Sequence, residues 1–275
     1  MQRELTCIFG VIADCQYHQS RGTDSRKYTL SVNKLQECVR HFNLLNLDFV
    51  IQLGDLIDRD FESFDPVLSV YQQLHMPKYH VLGNHDYDVP DEKKQEVPRK
   101  LGLSRSYYDF PCQGWRLVVL DGNEISFHAY PAESESYKKT AAYYENGRIE
   151  SPTWNGAIGI SQLRWLRSVL KKASEKEEPV ILFNHYPIYP EDRHNLWNAS
   201  EVNALIEKYS NVRCYFAGHN HHGLYGVHHG IHFLTLNGMV ETETTAFAVC
   251  RLFNDRIEIE GYGREPDRIL RFRGP

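Results

Sequence analysis

Five short polar blocks carry the residue types from which a two-metal centre can be built. In chain order they are Asp14 with Gln16; Gly54, Asp55 and Asp58; Gly83, Asn84, His85 and Asp86; Asn184 with His185; and Gly218, His219, Asn220 and His221. Hydrolysis of a phosphate ester or anhydride is helped by two divalent ions about 3.5–4 Å apart, which clamp the phosphoryl oxygens and lower the pKa of a shared water. Such a site needs one anionic bridge and a few oxygen or imidazole ligands around each ion, with positions left open for water and substrate. Asp55 suits the bridge, because its carboxylate has two oxygens and the glycine before it adds no side-chain bulk. Asp14, Gln16 and His221 then complete the first ion, and Asn84, His185 and His219 the second.

Each block also has an ordinary reading. Asp14 can cap a strand end, Gly83 to Asp86 can form an Asn-rich turn, and His219, His221 and His222 can sit on a solvated loop. Their order and the elements before them favour the metal reading. Candidate strands run from Ile8 to Ala13, Phe49 to Leu53, Tyr79 to Leu82, Leu117 to Asp121, Val180 to Asn184 and Cys214 to Ala217, and each block follows one of them. Ligands in open α/β sheets gather beyond the carboxyl ends of the strands, so residues remote in sequence converge there. Leu35, Cys38, Val39 and Phe42 recur at helical spacing and predict a buried stripe on a helix from about Tyr28 to Leu45. A second helix is expected near Ser161, with Leu163, Leu166 and Leu170 inward and Ile160 stapled on Trp165. A third begins at Asn198, in a capping box with Glu201 and with Trp197 stapled on Val202.

After His222 the runs Ile231 to Leu236, Phe247 to Phe253 and Ile257 to Tyr262 predict local hairpins that form a second sheet packed on the first, an α/β sandwich. Glu124 to Gly159 lacks strong periodicity and reads as a long loop, either a lid or mobile surface. Within it Tyr143, Tyr144, Trp154 and Asn155 are candidates for stacking on a nucleobase, against ordinary surface packing.

The blocks resemble the calcineurin-like metallophosphoesterases, whose pattern is Asp-x-His, Gly-Asp-x-x-Asp, Gly-Asn-His-Asp/Glu, a lone His and Gly-His-x-His. The resemblance spans Asp14 to His221; four blocks match fully, and Gln16 stands where most of the family has a histidine. A neutral amide oxygen is a harder and weaker donor than imidazole, so Gln16 favours Mn²⁺ or Mg²⁺ over Zn²⁺. Within the family an Asp-x-Gln opening is similar to the manganese-dependent ADP-ribose/CDP-alcohol diphosphatases, as are the strings Tyr186 to Pro190, Val240 to Thr242 and Gly261 to Ile269.

The resemblance implies a single domain over residues 1–275, folded as a four-layer α/β sandwich of two mixed sheets flanked by helices. It implies two divalent metal ions, Mn²⁺ first, with Mg²⁺, Fe or Zn²⁺ as alternatives. The implied activity is hydrolysis of the phosphoanhydride bond of nucleoside diphosphate conjugates, ADP-ribose and CDP-alcohols, by attack of a metal-bridging hydroxide. The alternative is a phosphodiesterase or phosphomonoesterase acting on cyclic nucleotides or other phosphoesters. His85, next to Asn84, is expected to face the open side of the site as a catalytic imidazolium donor or electrostatic stabiliser. By resemblance to protein-phosphatase members, Asp58 holds His85 protonated and Arg59 contacts a phosphoryl oxygen. A buried Asp58–Arg59 ion pair is the competing reading, disfavoured because neighbours in sequence rarely face each other well enough for that.

Length and charge set outer limits. The 275 residues suffice for one α/β domain with a sizeable core. A net charge of -5 leaves no electrostatic footprint for nonspecific nucleic-acid binding, so the expected partner is a small nucleotide substrate, not nucleic acid. Arg21, Arg26, Arg193 and Arg264 could each meet a phosphate, and surface salt bridges explain them equally well. Cys7, Cys15, Cys38, Cys112, Cys214 and Cys250 show no paired spacing and are expected to sit reduced. No run is long enough to span a bilayer, and Cys7 to Ala13 is too short for a secretory signal. A cytoplasmic protein without a membrane partner, with a monomer favoured, is the expectation.

Overall fold

Phe49–Gln52 and Val180–Phe183 are buried along their whole length, as parallel strands covered on both faces must be. The computed structural model describes residues 4–272. Its strands are β1 (Leu5–Ile12), β2 (Phe49–Gln52), β3 (Lys78–His80), β4 (Tyr108–Cys112), β5 (Trp115–Val119), β6 (Ile125–Ser126), β7 (Gly156–Ala157), β8 (Val180–Phe183), β9 (Val212–Ala217), β10 (His222–His228), β11 (Ile231–Asn237), β12 (Ala246–Phe253), β13 (Arg256–Gly263) and β14 (Arg268–Arg271). The α-helices are α1 (Ser31–Asn43), α2 (Phe64–Tyr71), α3 (Val97–Lys100), α4 (Glu135–Asn146), α5 (Ile160–Glu175) and α6 (Ala199–Ile206).

Two six-stranded sheets result. The first has the order β14-β13-β12-β1-β2-β3, with β1, β2 and β3 parallel and β12 antiparallel to β1. The second has the order β10-β11-β9-β8-β5-β4, with four central parallel strands and an antiparallel strand at each edge. Side chains alternate faces along a strand. Phe9 and Val11 of β1, Ile181 and Phe183 of β8, and Cys214 and Phe216 of β9 therefore point between the sheets. Ile12 turns outward to α1 and α2, and Leu182 and Tyr215 turn outward to α5 and α6. The four layers are helices, sheet, sheet, helices.

The C-terminal strands do not make a sheet of their own, contrary to the sequence expectation. β12, β13 and β14 extend the first sheet from the free edge of β1, and β10 and β11 extend the second from β9. A buried strand edge must find hydrogen-bond partners, and only an added strand supplies a full row of them. Segment 124–159 also differs from the expected loop. It holds α4, started by the Ser134 side chain accepting from Tyr137 N, and only Thr140 of that helix is buried, so no apolar stripe announced it. α1 keeps the predicted buried stripe but is preceded by a separate 3-10 turn over Tyr28–Leu30. Ile160 is 59% exposed and does not staple α5, although Leu163, Leu166 and Leu170 are buried as expected. Asn198 makes no cap bond to the α6 backbone; its amide donates to Glu201 Oε2 at 3.1 Å and grips Ile158, accepting from its N at 3.1 Å and donating to its carbonyl at 2.8 Å. Among the described residues, no helix is long and apolar enough to cross a membrane.

Phe9 lies at the centre of the inter-sheet layer, stacked on Phe49 at 4.9 Å and edge-on to Phe183 and Phe216, each at 5.9 Å. Truncating it empties volume that two rigid sheets cannot close. Phe9→Ala is expected to lower unfolding stability by about 3–5 kcal/mol, read from a urea titration.

Candidate active site

Each of the five blocks begins just beyond the C-terminal end of a strand: Asp14 after β1, Asp55 after β2, Asn84 after β3, His185 after β8 and His219 after β9. Three of these strands belong to one sheet and two to the other, so the site spans the gap where both sheets end. The chain bends sharply there. Asp14 (φ 51°), Gln16 (φ 45°), Asp55 (φ 55°) and His219 (φ 68°) all hold left-handed backbone, which costs a side-chain-bearing residue on the order of 1–3 kcal/mol. Cross-loop bonds hold these bends: Gln16 N donates to Asp55 O at 2.8 Å, Gly218 N to His185 O at 2.9 Å, and Val240 N to Asp14 O at 2.9 Å. The buried Asp86 carboxylate ties two blocks together, accepting from Asp55 N at 3.0 Å, Leu56 N at 2.8 Å and Gly83 N at 2.9 Å.

The glycines are there because the blocks touch. A Cβ on Gly83 would stand 2.1 Å from Asp55 Oδ1, and one on Gly54, which has φ +95°, would stand 2.6 Å from His185 Nδ1.

The side chains converge on Asp55. Its Oδ2 lies 3.0 Å from Gln16 Nε2 and 3.3 Å from His185 Nε2. His185 Nε2 is also 3.1 Å from Asn84 Oδ1 and 3.1 Å from His219 Nδ1. On the other side Gln16 Nε2 is 3.2 Å from His221 Nε2, which is 3.5 Å from Asp14 Oδ1. All seven expected ligands thus meet in two groups that share one carboxylate. Burial opposes the charge on Asp55, yet His185 and His85 beside it hold its carboxyl well below the ordinary range.

Each imidazole is tied from behind. His185 Nδ1 donates to Leu53 O at 2.9 Å, and His221 Nδ1 donates to Glu241 Oε1 at 2.8 Å. His219 Nε2 donates to Asn155 Oδ1 at 2.9 Å, and Asn155 Nδ2 donates in turn to Arg193 O at 2.8 Å. Such partners fix orientation, so that His185 Nε2, His221 Nε2 and His219 Nδ1 face inward as the atoms that would ligate an ion in exchange for a proton. Gln16 also fits a cation site: its Oε1 is buried with no hydrogen-bond partner. Exchanging the two ends of that amide, which have nearly the same shape, turns the oxygen onto the cluster as a ligand. Two carboxylates, two amide oxygens and three imidazoles fit a pair of borderline-hard divalent ions.

The cluster floors a cleft of about 370 Å³ whose walls include Arg26, His85, His128, Trp154, Arg193 and His194. His85 Nδ1 is 3.2 Å from Asp58 Oδ1 and 3.2 Å from the Asp58 carbonyl oxygen, and its own N donates to Asp55 Oδ1 at 2.8 Å. Burial works against a charged His85, but Asp55 and Asp58 outweigh it and raise its pKa to about 9.

Arg59 departs from expectation. Its Nε donates to Asp58 Oδ2 at 2.6 Å, its side chain is 51% exposed, and it does not line the cleft. The disfavoured neighbour ion pair is therefore present but buried only on the Asp58 side, because Arg59 has room at the surface to fold back on the carboxylate. Arg26 takes the inward place, with its guanidinium 4.0 Å from Asp58 Oδ1 and 3.9 Å from Glu241 Oε1.

The nucleobase candidates separate in the same way. Trp154 lines the cleft, its ring 5.0 Å from His219 and under the Arg193 guanidinium at 5.3 Å. Asn155 is spent on His219. Tyr144 is scaffold, donating to Ser151 O at 2.6 Å and packing on Trp197 at 5.0 Å, and Tyr143 lines a different cleft. Arg264 donates to Gly238 O and is structural. Glu241 and His128 were not singled out as site residues, and Asn155 was expected to face a nucleobase, not to hold His219. Glu241 lies within the string Val240 to Thr242, whereas nothing local marks His128.

Residues 9–223 match the calcineurin-like phosphoesterase family. The manganese-dependent ADP-ribose/CDP-alcohol diphosphatase of Oryza sativa subsp. japonica is 32% identical to the chain over 306 residues, covering 98% of it and 95% of the relative. The Bos taurus protein of the same name is 29% identical, covering 96% of this chain and 94% of its own. A crystal structure of a dimetal phosphatase from Danio rerio superposes with a TM-score of 0.88 at 26% identity, over 98% of this chain and 100% of that one. Because the matched span runs from within β1 to the start of β10, and so takes in every block that meets at Asp55, the chain belongs to the calcineurin-like phosphoesterase family and is a metal-dependent phosphohydrolase.

Proposed function

We propose that this chain hydrolyses the phosphoanhydride bond of nucleoside diphosphate conjugates, ADP-ribose and CDP-alcohols, with Mn²⁺ as its preferred metal. The observation that carries the reading is Gln16, an amide where the family pattern has an imidazole, buried against Asp55 Oδ2 and His221 Nε2 with its oxygen unpartnered. The printed names of the near-full-length relatives support it. In this reading Asp14, Gln16 and His221 hold one ion and Asn84, His185 and His219 the other, with Asp55 between them. When bound, the ions would polarise the phosphoryl oxygens and supply a water acidic enough to lose its proton near neutral pH.

The remaining work falls to side chains of the cleft. His85, kept protonated by Asp58 and Asp55, is a hydrogen-bond donor at the open face and neutralises charge as the phosphoanhydride breaks. Asp58 positions it and is itself relieved by Arg59. A diphosphate carries more negative charge than a monoester, and Arg26 and Arg193 bring cations to the cleft beyond His85. This is where a second phosphate would sit. We assign the substrate contact expected of Arg59 to Arg26. Residues 1–275 are read as one domain, supported by β1 lying between β12 and β2 in a single sheet. A cytoplasmic location is supported by six cysteines that are all free thiols.

Three measurements test this reading. Metal-stripped protein refilled with Mn²⁺ and offered ADP-ribose, CDP-choline, a cyclic nucleotide and an aryl phosphodiester should release AMP and CMP from the first two and little from the others. Preference for the cyclic nucleotide or the aryl ester would reject the diphosphatase assignment. Activity of the stripped protein should return best with Mn²⁺, and Gln16→His should move that preference toward Zn²⁺; equal recovery of the unaltered protein with Zn²⁺ would contradict the ligand argument. His85→Ala should keep its full metal content by elemental analysis while turnover falls about 10²–10⁴-fold. Undiminished turnover in that variant would remove His85 from the mechanism.

A further inference from the structure

At the end of the first sheet remote from the metal ligands, Cys7 and Cys112 meet. Cys7 is near the start of β1 and is 1% exposed, and Cys112 closes β4, the edge strand of the second sheet, where it is half-buried. Their sulfurs are 3.0 Å apart, although 105 residues separate them in the chain. That is closer than the about 3.5–4.0 Å at which even carbon atoms rest in nonbonded contact. Asp48 completes a group of three possible metal ligands here. Two thiolates on a tetrahedral zinc, each at about 2.3 Å, stand about 3.8 Å apart, so the sulfurs are too close for a shared ion. The Asp48 carboxylate is also engaged, its Oδ2 accepting from Ile8 N at 2.8 Å. The spacing fits a bond between the sulfurs better than a metal between them.

We propose that Cys7 and Cys112 are an oxidative modification site, a thiol pair that closes to a reversible disulfide under hydrogen peroxide and staples the two sheets together. Cys112 is the partner within reach of solvent, and the thiol hydrogen bond from Cys7 holds its pKa below the ordinary value. As thiolate it attacks the peroxide O–O bond, becoming a sulfenic acid while the other oxygen leaves as water. The Cys7 sulfur then displaces the sulfenic oxygen as a second water and the S–S bond forms. Two electrons pass from the sulfurs to the peroxide, and the two thiol protons end in the two waters. The staple lies far from the metal ligands: seven residues of nearly extended chain from Cys7 to Asp14 cover on the order of 20 Å. A closed pair therefore alters stability and leaves turnover alone. In a reducing compartment such bonds are transient, which suits a sensor better than a permanent cross-link.

The test treats the full-length, metal-loaded protein with hydrogen peroxide, alkylates the remaining thiols and maps the peptides. The expected result is a Cys7–Cys112 linked peptide, reversed by dithiothreitol, with a thermal midpoint raised by roughly 5 °C and turnover changed less than about twofold. Cys7→Ala should remove both the linked peptide and the rise in midpoint, and should drive Cys112 on to the sulfinic acid. Sulfinic acid at Cys112 of the unaltered protein without a linked peptide would overturn the proposal. So would two thiols that both remain open to alkylation after prolonged excess peroxide.

Discussion

The Asp55 carboxylate is fully buried and must nevertheless carry a negative charge, and most of what surrounds it follows from that demand. A lone ionised carboxylate removed from water is strongly unfavourable unless it is paired and hydrogen-bonded. Here Oδ1 accepts from His85 N, Oδ2 is approached by Gln16 and His185, and the Asp55 backbone N is held by Asp86. These contacts require four strand ends, those of β1, β2, β3 and β8, to meet at one carboxylate. Glycine at positions 54 and 83 is the consequence, since a methyl group at either would overlap His185 or Asp55.

The same crowding accounts for the strained backbone at Asp14, Gln16, Asp55 and His219. Strain of this kind persists only where the surroundings leave no alternative. The layer between the sheets provides that rigidity, because Phe9, Phe49, Phe183 and Phe216 lock together the strands that deliver Asp14, Asp55, His185 and His219. The aromatic contact between the sheets and the ligand geometry at their ends are thus one mechanical unit. Stability is gathered in the apolar layer and drawn down at the site.

The parts of this arrangement legible in the sequence are those set by short-range chemistry. Apolar runs ending in Asp, Asn or His marked the strands and the polar blocks together, and the seven candidate residues lie side by side where both sheets end. Strand pairing was less legible. Nothing local to Phe247–Phe253 says that it lies against β1 and not beside β11, since that choice depends on which edge is left free. Asn198 carried a sound helix-start pattern and pairs with Glu201, yet its amide oxygen accepts from a tertiary partner, Ile158, and not from the α6 backbone. Arg59 stays outside the cleft and Arg26 enters it for a similar reason, because reach into a cleft depends on which loop faces it.

Glu241, Leu53 and Asn155 hold the three imidazoles from regions with no sequence relation to one another, and of these Asn155 couples the most. It bonds His219 on one side and the Arg193 carbonyl on the other, and it follows Trp154, which lies under the Arg193 guanidinium. Segment 124–159 therefore reaches through a single residue from the wall of the cleft to a ligand nitrogen. A change in that segment that shifts Trp154 must also pull on His219. Substrate fit and the geometry of the metal site are consequently not independent in this fold, and a segment that reads as an unstructured insertion is bound to keep both.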